Sequence, residues 1–239
     1  MLESHESQLM AIAIGLYLLD SCLLLRQDEG LVIAGPRGTW RAKLSSEDHG
    51  WMGRYLYLAN PLTPHRAIFK LRLSAFDLAG TSSTTWSALR SMLSPVVPFM
   101  CVTAFGLYGL VPLGLFTRLG SVCVLFGAIL TYAGAIGAIG WLFRHRKAAG
   151  LTTARFAKLA FECIVCPPFN VNLVRRLTAA HPVNEPWPVA AQRLLSQAEW
   201  DHLITICAER IEAEVESEPE GSARAEALRA QLGQLRSTP

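Results

Sequence analysis

The sequence predicts an integral membrane protein with three transmembrane helices, a small cytoplasmic β-rich insertion and a helical cytoplasmic C-terminal region. Composition is the first reason: hydrophobic residues make up 51% of the chain and charged residues 17%, with a mean hydropathy of +0.29. Soluble domains are usually about a quarter charged. The other two reasons are the presence of three long apolar stretches and the placement of basic residues around them.

The apolar stretches comprise residues 9–25, 96–116 and 121–143, which are 17, 21 and 23 residues long. A hydrocarbon core of about 30 Å requires about 20 helical residues, so the second and third stretches fit well and the first is marginal. A secretory signal is the alternative for the first stretch. No Lys or Arg precedes it and no small-residue cleavage site follows it, so we interpret it as an uncleaved span.

Basic residues predict the orientation. Residues 26–92 carry nine Lys and Arg and residues 144–239 carry twelve, whereas the turn between the second and third spans has only Arg118. Since Lys and Arg concentrate on the cytoplasmic side, we expect the N-terminus outside and the C-terminus in the cytoplasm. Arginine outnumbers lysine 18 to 4, which is typical of bacteria with GC-rich genomes, and we expect a multi-pass protein of a bacterial inner membrane.

Five segments follow from this topology. Residues 1–25 form an N-terminal tail and the first span, and residues 26–93 form a β-rich cytoplasmic segment with a short interfacial helix. Residues 94–143 form a transmembrane helical hairpin. Residues 144–215 form a helical cytoplasmic region, and residues 216–239 form a terminal linker and a short helix.

The β-rich segment shows strand patterns around a turn. An apolar run at 31–34 precedes the turn sequence Gly-Pro-Arg-Gly at 35–38, and residues 39–44 and 67–75 alternate apolar with polar side chains. Residues 54–61 add a further strand. We expect a four-stranded unit whose apolar face packs on a neighbour. Its basic face has two open interpretations, contact with anionic lipid or simple solvation.

The spacing of Trp86, Leu89 and Leu93 predicts a short interfacial helix before the second span, with a plain loop as the alternative. The second span contains Pro98 and Pro112, and such breaks are tolerated where neighbours satisfy the freed backbone groups.

The third span carries a stripe of small residues. Gly127, Gly134 and Ala138 lie near one face, and Ala133 with Gly137 forms a small-xxx-small pair that permits close helix approach. Because only five residues (117–121) link the two spans, we expect this face to pack on the second span. Gly134→Leu should then disrupt the packing and Ile129→Leu should not. A homo-oligomer contact is the alternative.

The C-terminal region reads as a series of helices. The first covers 152–165, and Asn170 is expected to cap the next one after Pro167-Pro168. A proline-rich connector at 181–188 follows. Ser196 and Glu199 form a capping box ahead of a helix to about residue 215, and the last helix covers 223–236 with Ala225, Leu228, Leu232 and Leu235 on one stripe.

Cys163-x-x-Cys166 is the closely spaced cysteine pair of the chain. A redox pair places its first thiol at a helix N-terminus, where the thiol pKa falls, but this pair lies at the end of a helix. A structural zinc site requires four ligands, and the remaining cytoplasmic candidates (His181, His202 and Cys207) have unpaired spacings. We therefore interpret the pair as packing residues, with metal or redox use as the alternative, and expect no cofactor.

Asp20 is the ionisable residue inside a predicted span. Intramembrane charges are functional candidates because inserting one costs about 2.5–3.5 kcal/mol on translocon scales. Asp20 also lies near the basic end of its span, so interfacial snorkelling is the competing interpretation.

These features favour a non-enzymatic accessory or scaffold protein that acts through its cytoplasmic domains. The expected partners are the bilayer, other membrane or cytoplasmic proteins and a second copy of the chain. The net charge of +3 argues against nucleic acid. Two alternatives stay open: an oligomeric transporter or channel subunit, favoured by the broken second span, and an interfacial enzyme acting on lipid. No catalytic motif identifies residues for that enzyme.

Overall fold

The structure is a computed structural model that describes residues 4–25, 29–44, 50–51, 54–72, 86–181, 187–219 and 221–237. The chain forms two compact units. The first unit contains Met1–Leu24, Leu56–Ala67 and Thr84–His181, and the second contains Leu25–Tyr55, Ile68–Ser83 and Pro182–Pro239. Two predicted features, the end of the strand at 73–75 and most of the connector at 181–188, lie outside the described residues.

The first unit is helical. Its helices in chain order are α1 (Ser4–Ser21), α2 (Trp86–Leu93), α3 (Val97–Phe105), α4 (Val111–Phe116), α5 (Gly120–His145), α6 (Thr153–Val165), α7 (Pro167–Val171) and α8 (Leu173–Ala179). A 3-10 turn, Ser94–Val96, joins α2 to α3, so the predicted short helix runs directly into the second predicted span. Trp86, Leu89 and Leu93 are its buried residues, as the helical spacing predicts.

Two helical segments in the described part of the chain are long and apolar enough to cross a bilayer. They are Trp86–Phe116, of 31 residues, and α5, of 26 residues, with hydropathies of 1.9 and 2.2. At 1.5 Å per residue, they extend about 46 and 39 Å, more than a hydrocarbon core of about 30 Å. In the most apolar 18-residue stretch of each segment, only 22% and 28% is buried inside the protein.

α1 does not meet the same criterion, so three spans are not established. The helix ends at Ser21, and Cys22–Leu25 forms the strand β1 instead of extending the helix through residue 25. The Ser21 hydroxyl donates back to the Tyr17 carbonyl (2.8 Å), and the Ser21 carbonyl accepts from the N–H of Ala59 (3.1 Å). This backbone pairing with a segment distant in sequence ends the helix. The periodicity of the apolar run does not reveal that end point.

A π-helical turn, Gly106–Leu110, joins α3 to α4. The N–H of Val111 donates to the Gly106 carbonyl, five residues back. Pro112 follows, and its ring would clash with the carbonyl four residues earlier in a regular α-helix. The wider turn relieves that clash and keeps the segment helical through the proline.

Glycines bring α5 against the α3–α4 segment. A Cβ atom on Gly127 would lie 2.9 Å from the Gly106 carbonyl oxygen, and one on Gly134 would lie 2.7 Å from the Phe99 carbonyl oxygen. Such distances leave no room for a side chain. Gly137 lies against the Phe99 ring, and Ala138 is fully buried. The small-residue face of α5 therefore lies against the α3–α4 segment. This is the neighbour that the sequence predicts, because only five residues link the two spans.

The helices α6, α7 and α8 form a helical hairpin, called here the α6–α8 hairpin. Thr152 caps α6, its hydroxyl accepting from the N–H of Arg155 (3.3 Å). The chain turns at Cys166, and Pro167 starts α7, a position that suits proline because its missing N–H would have no helical partner. The prediction that Asn170 caps the helix over 171–180 is wrong: Asn170 lies buried inside α7, and α8 begins at Leu173 with Asn172 at the cap position.

The sheets consist of β1 (Cys22–Leu25), β2 (Glu29–Ala34), β3 (Trp40–Leu44), β4 (Gly50–Trp51), β5 (Arg54–Leu58) and β6 (Ile68–Arg72). One sheet has the order β3-β2-β6, with both pairs antiparallel, and the other has the order β1-β5-β4. The prediction of one four-stranded unit is thus wrong, because β1 supplies a partner for β5. The predicted turn is present as a 3-10 turn at Pro36–Gly38, where Gly38 has the positive φ of 84° that glycine adopts readily.

The described part of the second unit adds the helices α9 (Trp187–Leu194), α10 (Gln197–Ser217) and α11 (Ala223–Ser237). Ser196 caps α10 as predicted, accepting from the N–H of Glu199 (3.4 Å). α10 packs against β3, burying Trp200, Leu203 and Cys207. In β2, Leu31 and Val32 are both buried, so this sheet is covered on both faces and not on one. α11 packs on α10 through a stripe that includes the buried Ala225 and Leu235.

Candidate functional site

The first unit contains a group of polar residues, most of them buried or partly buried, that bond one another through side chains and backbone carbonyls; it is called here the polar cluster. It joins α1, the segment after β5, α3 and the α6–α8 hairpin. Its members are Tyr17, Asp20, Ser21, Asn60, Thr63, Thr103, Glu162, Asn170, Asn172, Arg175 and Arg176.

Arg175, on α8, is the most buried charged residue of the cluster, with 1% of its surface exposed. Its guanidinium donates to the carbonyls of Asn60 (2.9 Å) and Thr63 (3.1 Å) and to the side-chain oxygen of Asn172 (3.2 Å). Burial lowers the pKa of Arg175, but arginine still stays protonated in proteins. The fork of donors fixes the segment after β5 onto α8, which a lysine could not reproduce.

Arg176, the next residue, pairs with two carboxylates. Its guanidinium contacts Glu162 on α6, and its Nε lies 3.4 Å from Oδ1 of Asp20 on α1. All three side chains are at most 25% exposed. Asp20 therefore points into the protein toward an arginine, an arrangement that neither sequence interpretation anticipated. The triad ties three helices together, and removing Arg176 would leave two partly buried carboxylates without the cation that they share.

Asparagines complete the cluster. Asn170 donates to the Thr103 hydroxyl (2.7 Å), which in turn donates to the Phe99 carbonyl (3.0 Å). Asn172 donates to the Ser21 hydroxyl (3.0 Å) and to the Tyr17 carbonyl (3.3 Å). These bonds attach the turn of the α6–α8 hairpin to α3 and α1.

Most polar atoms of the cluster bond one another or the backbone. Among the described residues, Oδ2 of Asp20, Oδ1 of Asn170, Nε of Arg175 and Nη1 of Arg176 are buried without a hydrogen-bond partner. Burying polar groups is favourable only where their bonds are made, so a cluster satisfied to this extent specifies how the helices pack. Chemically, the arrangement holds charges in place and presents no nucleophile with an adjacent base.

The cysteine pair lies at the end of α6. Cys163 is fully buried, and burial raises the pKa of its thiol to about 12. Cys166, in the turn before α7, is partly exposed, and burial also raises its pKa. A raised thiol pKa lowers the fraction of thiolate, the form that acts as the nucleophile in redox chemistry.

The remaining metal candidates belong to other elements of the chain than the cysteine pair. His181 follows α8 in the first unit, whereas His202 and the buried Cys207 lie on α10 in the second. No group of three or more His, Cys, Asp and Glu side chains suited to a metal ion occurs within the described ranges.

Sequence reasoning missed Arg175, Arg176, Asn170 and Asn172. The available signal was the pair of consecutive arginines in the otherwise uncharged stretch 171–180. Two adjacent arginines on a short apolar helix cannot both reach solvent easily, so buried partners were to be expected. Their identity was not readable, because Ser21 and Asn172 are 151 residues apart.

Comparison of the chain with protein-family models, with curated proteins and with solved structures finds no match in any of the three.

Proposed function

We propose that this chain is a multi-pass protein of a bacterial inner membrane that serves as a non-enzymatic accessory or scaffold subunit. The observation that carries the proposal is the division of the first unit into an apolar outer surface and a polar cluster bonded inward. Such a unit is suited to hold a fixed shape within a bilayer.

The apolar outer surface supports membrane insertion. Its large exposed side chains on α5 alone include Val122 (65% exposed), Leu125 (61%) and Ile136 (63%). Leu9 and Leu19 on α1 and Phe161 and Val165 on α6 are exposed to a similar degree. A contiguous apolar surface of this extent is costly in water and marks contact with a membrane or a partner.

The hairpin of Trp86–Phe116 and α5 puts the basic segments 26–92 and 144–239 on the same side, the cytoplasm in our proposal. In this arrangement α1 is a third span. Its 18 residues extend about 27 Å, of which the apolar residues 9–19 cover about 16 Å, and the polar residues 4–8 would lie at the outer headgroup level. Tyr108 supports this placement, because its hydroxyl donates to the carbonyl of Ala13 (3.2 Å), near the middle of α1.

The α6–α8 hairpin is a re-entrant element in this proposal. It starts beside the end of α5, and its turn reaches Thr103, seven residues inside α3. Phe161, Ile164 and Val165 near this turn are 67%, 45% and 63% exposed. Irregular backbone is tolerated at membrane depth where protein surrounds it, and α1 and α3 pack against α7 in this way.

The accessory role rests on how the charges are used. The triad of Asp20, Glu162 and Arg176 and the bonds of Arg175 hold helices together. The second unit, with its sheet and the α10–α11 pair, is the part that we propose binds other proteins in the cytoplasm.

Two measurements test the proposal. A reporter fused after Pro239 should be active only in the cytoplasm, and alkaline carbonate should leave the protein in the membrane fraction. Native mass spectrometry of the detergent-purified protein should then show a stoichiometric complex with another polypeptide. An outer-side reporter or release by carbonate would refute the membrane topology. A homo-oligomer that conducts ions in liposomes would replace the scaffold role with the channel alternative.

A further inference from the structure

A cavity of about 300 Å³ lies between α6 and α8, at the end where α5 finishes. The residues after α5 close one side: the N–H groups of Gly150 and Leu151 bond back to the carbonyls of Lys147 and Arg146, and Gly150 has a positive φ of 65°. The polar side chains of its wall are Arg155, Lys158, Glu162, Arg176 and His181. We call it the basic cavity.

Positive charge exceeds negative charge in the basic cavity. Arg176 is paired with Asp20 and Glu162, and Lys158 lies 3.9 Å from Glu162. Arg155 donates to the Ala180 carbonyl (3.3 Å) and forms no ion pair with a carboxylate in the described ranges. The positive surplus therefore lies at Arg155 and Lys158, both on the first turns of α6. Burial, followed by the charge of Arg155, lowers the pKa of His181.

The surroundings of the cavity are those of a membrane interface. Three further basic residues, Arg144, Arg146 and Lys147, lie at the end of α5, where the candidate span finishes. Trp141 stacks on His145 one turn away, and tryptophan favours the interfacial level. Phe143, 55% exposed, contacts Phe156 at the start of α6 with ring centroids 5.6 Å apart. A ligand in the basic cavity meets Arg155 and Lys158 beside an apolar surface, and Arg144, Arg146 and Lys147 lie outside the cavity wall.

We propose that the basic cavity binds the phosphate group of an anionic phospholipid, with the acyl chains lying on the exposed apolar surface of α5 and α6. The inference rests on the membrane insertion proposed above. Arg155 supplies a planar pair of donors suited to phosphate oxygens, and Lys158 supplies a point charge. The shared chemistry is a phosphate anion, which a soluble phosphate also offers, but the adjacent apolar surface favours the lipid.

The test uses the full chain in dodecylmaltoside, titrated with phosphatidylglycerol and observed by native mass spectrometry. We expect one tightly bound phosphatidylglycerol and much weaker binding of phosphatidylcholine. Arg155→Gln with Lys158→Gln should weaken phosphatidylglycerol binding by about tenfold or more, because two charge-assisted contacts are lost. Both side chains are exposed, so unchanged thermal unfolding of this variant confirms that it is folded.

The matched control is Arg144→Gln with Lys147→Gln, which removes the same charge from exposed residues outside the cavity wall. An equal loss of binding in both double variants would mean general surface electrostatics and would overturn the assignment to the cavity. If millimolar inorganic phosphate displaces phosphatidylglycerol, the site binds a soluble anion, and the assignment to a lipid is overturned. Carbonate extraction is a separate measurement on membranes. Either failure of the lipid titration would therefore overturn the lipid site without changing the evidence for membrane insertion.

Discussion

Replacing Gly134 with leucine tests how α5 packs on α3. Gly134 is buried, and a Cβ atom there would lie 2.7 Å from the Phe99 carbonyl oxygen and 2.8 Å from the Thr103 backbone nitrogen. Non-bonded carbon atoms pack at about 3.5–4.0 Å. Because the obstructing atoms belong to the backbone, the helices must separate, and the three further carbons of leucine increase the separation.

The magnitude follows from two contributions. Overpacking in a well-packed core costs about 1–3 kcal/mol. Movement of α3 also weakens the bond between Asn170 and Thr103 (2.7 Å), and such bonds contribute about 0.6 kcal/mol in membrane proteins. Together they predict a destabilisation of about 1.5–3.5 kcal/mol, or a midpoint lower by about 3–14 °C for a chain of this size.

The assay is thermal unfolding of the detergent-purified protein, followed by tryptophan fluorescence. The matched control is Gly140→Leu on the same helix, where a Cβ atom would meet nothing within 4 Å. Both changes gain the same helix propensity, so only packing distinguishes them. Ile129→Leu, at a residue 54% exposed, is a second control. Equal midpoints for Gly134→Leu and Gly140→Leu would refute the packing of α5 on α3.

Two more predictions concern the buried residues of the α6–α8 hairpin. Arg175→Met removes the donors to Asn60, Thr63 and Asn172 and should destabilise the protein by about 1–3 kcal/mol in the same assay, because buried acceptors lose their donor. Arg229→Met at an exposed position should not, and equal stability of the two variants would show that Arg175 is dispensable. In single-cysteine variants at pH 8, maleimide should modify Cys163 at least about tenfold more slowly than Cys166, because the Cys163 thiol is buried and its pKa is about 12. Unfolding should abolish the difference. Equal rates in the folded protein would contradict this.

Local patterns predicted much of the secondary structure. The helical spacing of Trp86, Leu89 and Leu93 corresponds to α2, and the capping box at Ser196 starts α10. The turn at 35–38 lies between β2 and β3, as predicted. These features depend on residues within one or two turns of each other, so the sequence carries the information directly.

The polar cluster was not predictable in the same way. Arg175 bonds to a carbonyl 115 residues away, and the end of α1 depends on a backbone bond that the N–H of Ala59 donates to the Ser21 carbonyl. Asn170 occupies a position that fits a helix cap locally, yet its side chain bonds to Thr103 on another helix. Backbone carbonyls have no sequence signature, so contacts to them cannot be inferred from residue types.

The sequence by itself determined the hydrophobic character of the chain, two helical segments able to cross a bilayer, the placement of basic residues around them and the small residues along α5. Tertiary structure decided where the apolar run of α1 stops, which strand pairs with β5, and that Asp20 lies against Arg176 and Glu162. The division has a physical reason. Hydrophobicity and helical periodicity act over neighbouring residues, whereas the energy of a buried polar group depends on partners that only the folded chain brings within hydrogen-bonding distance.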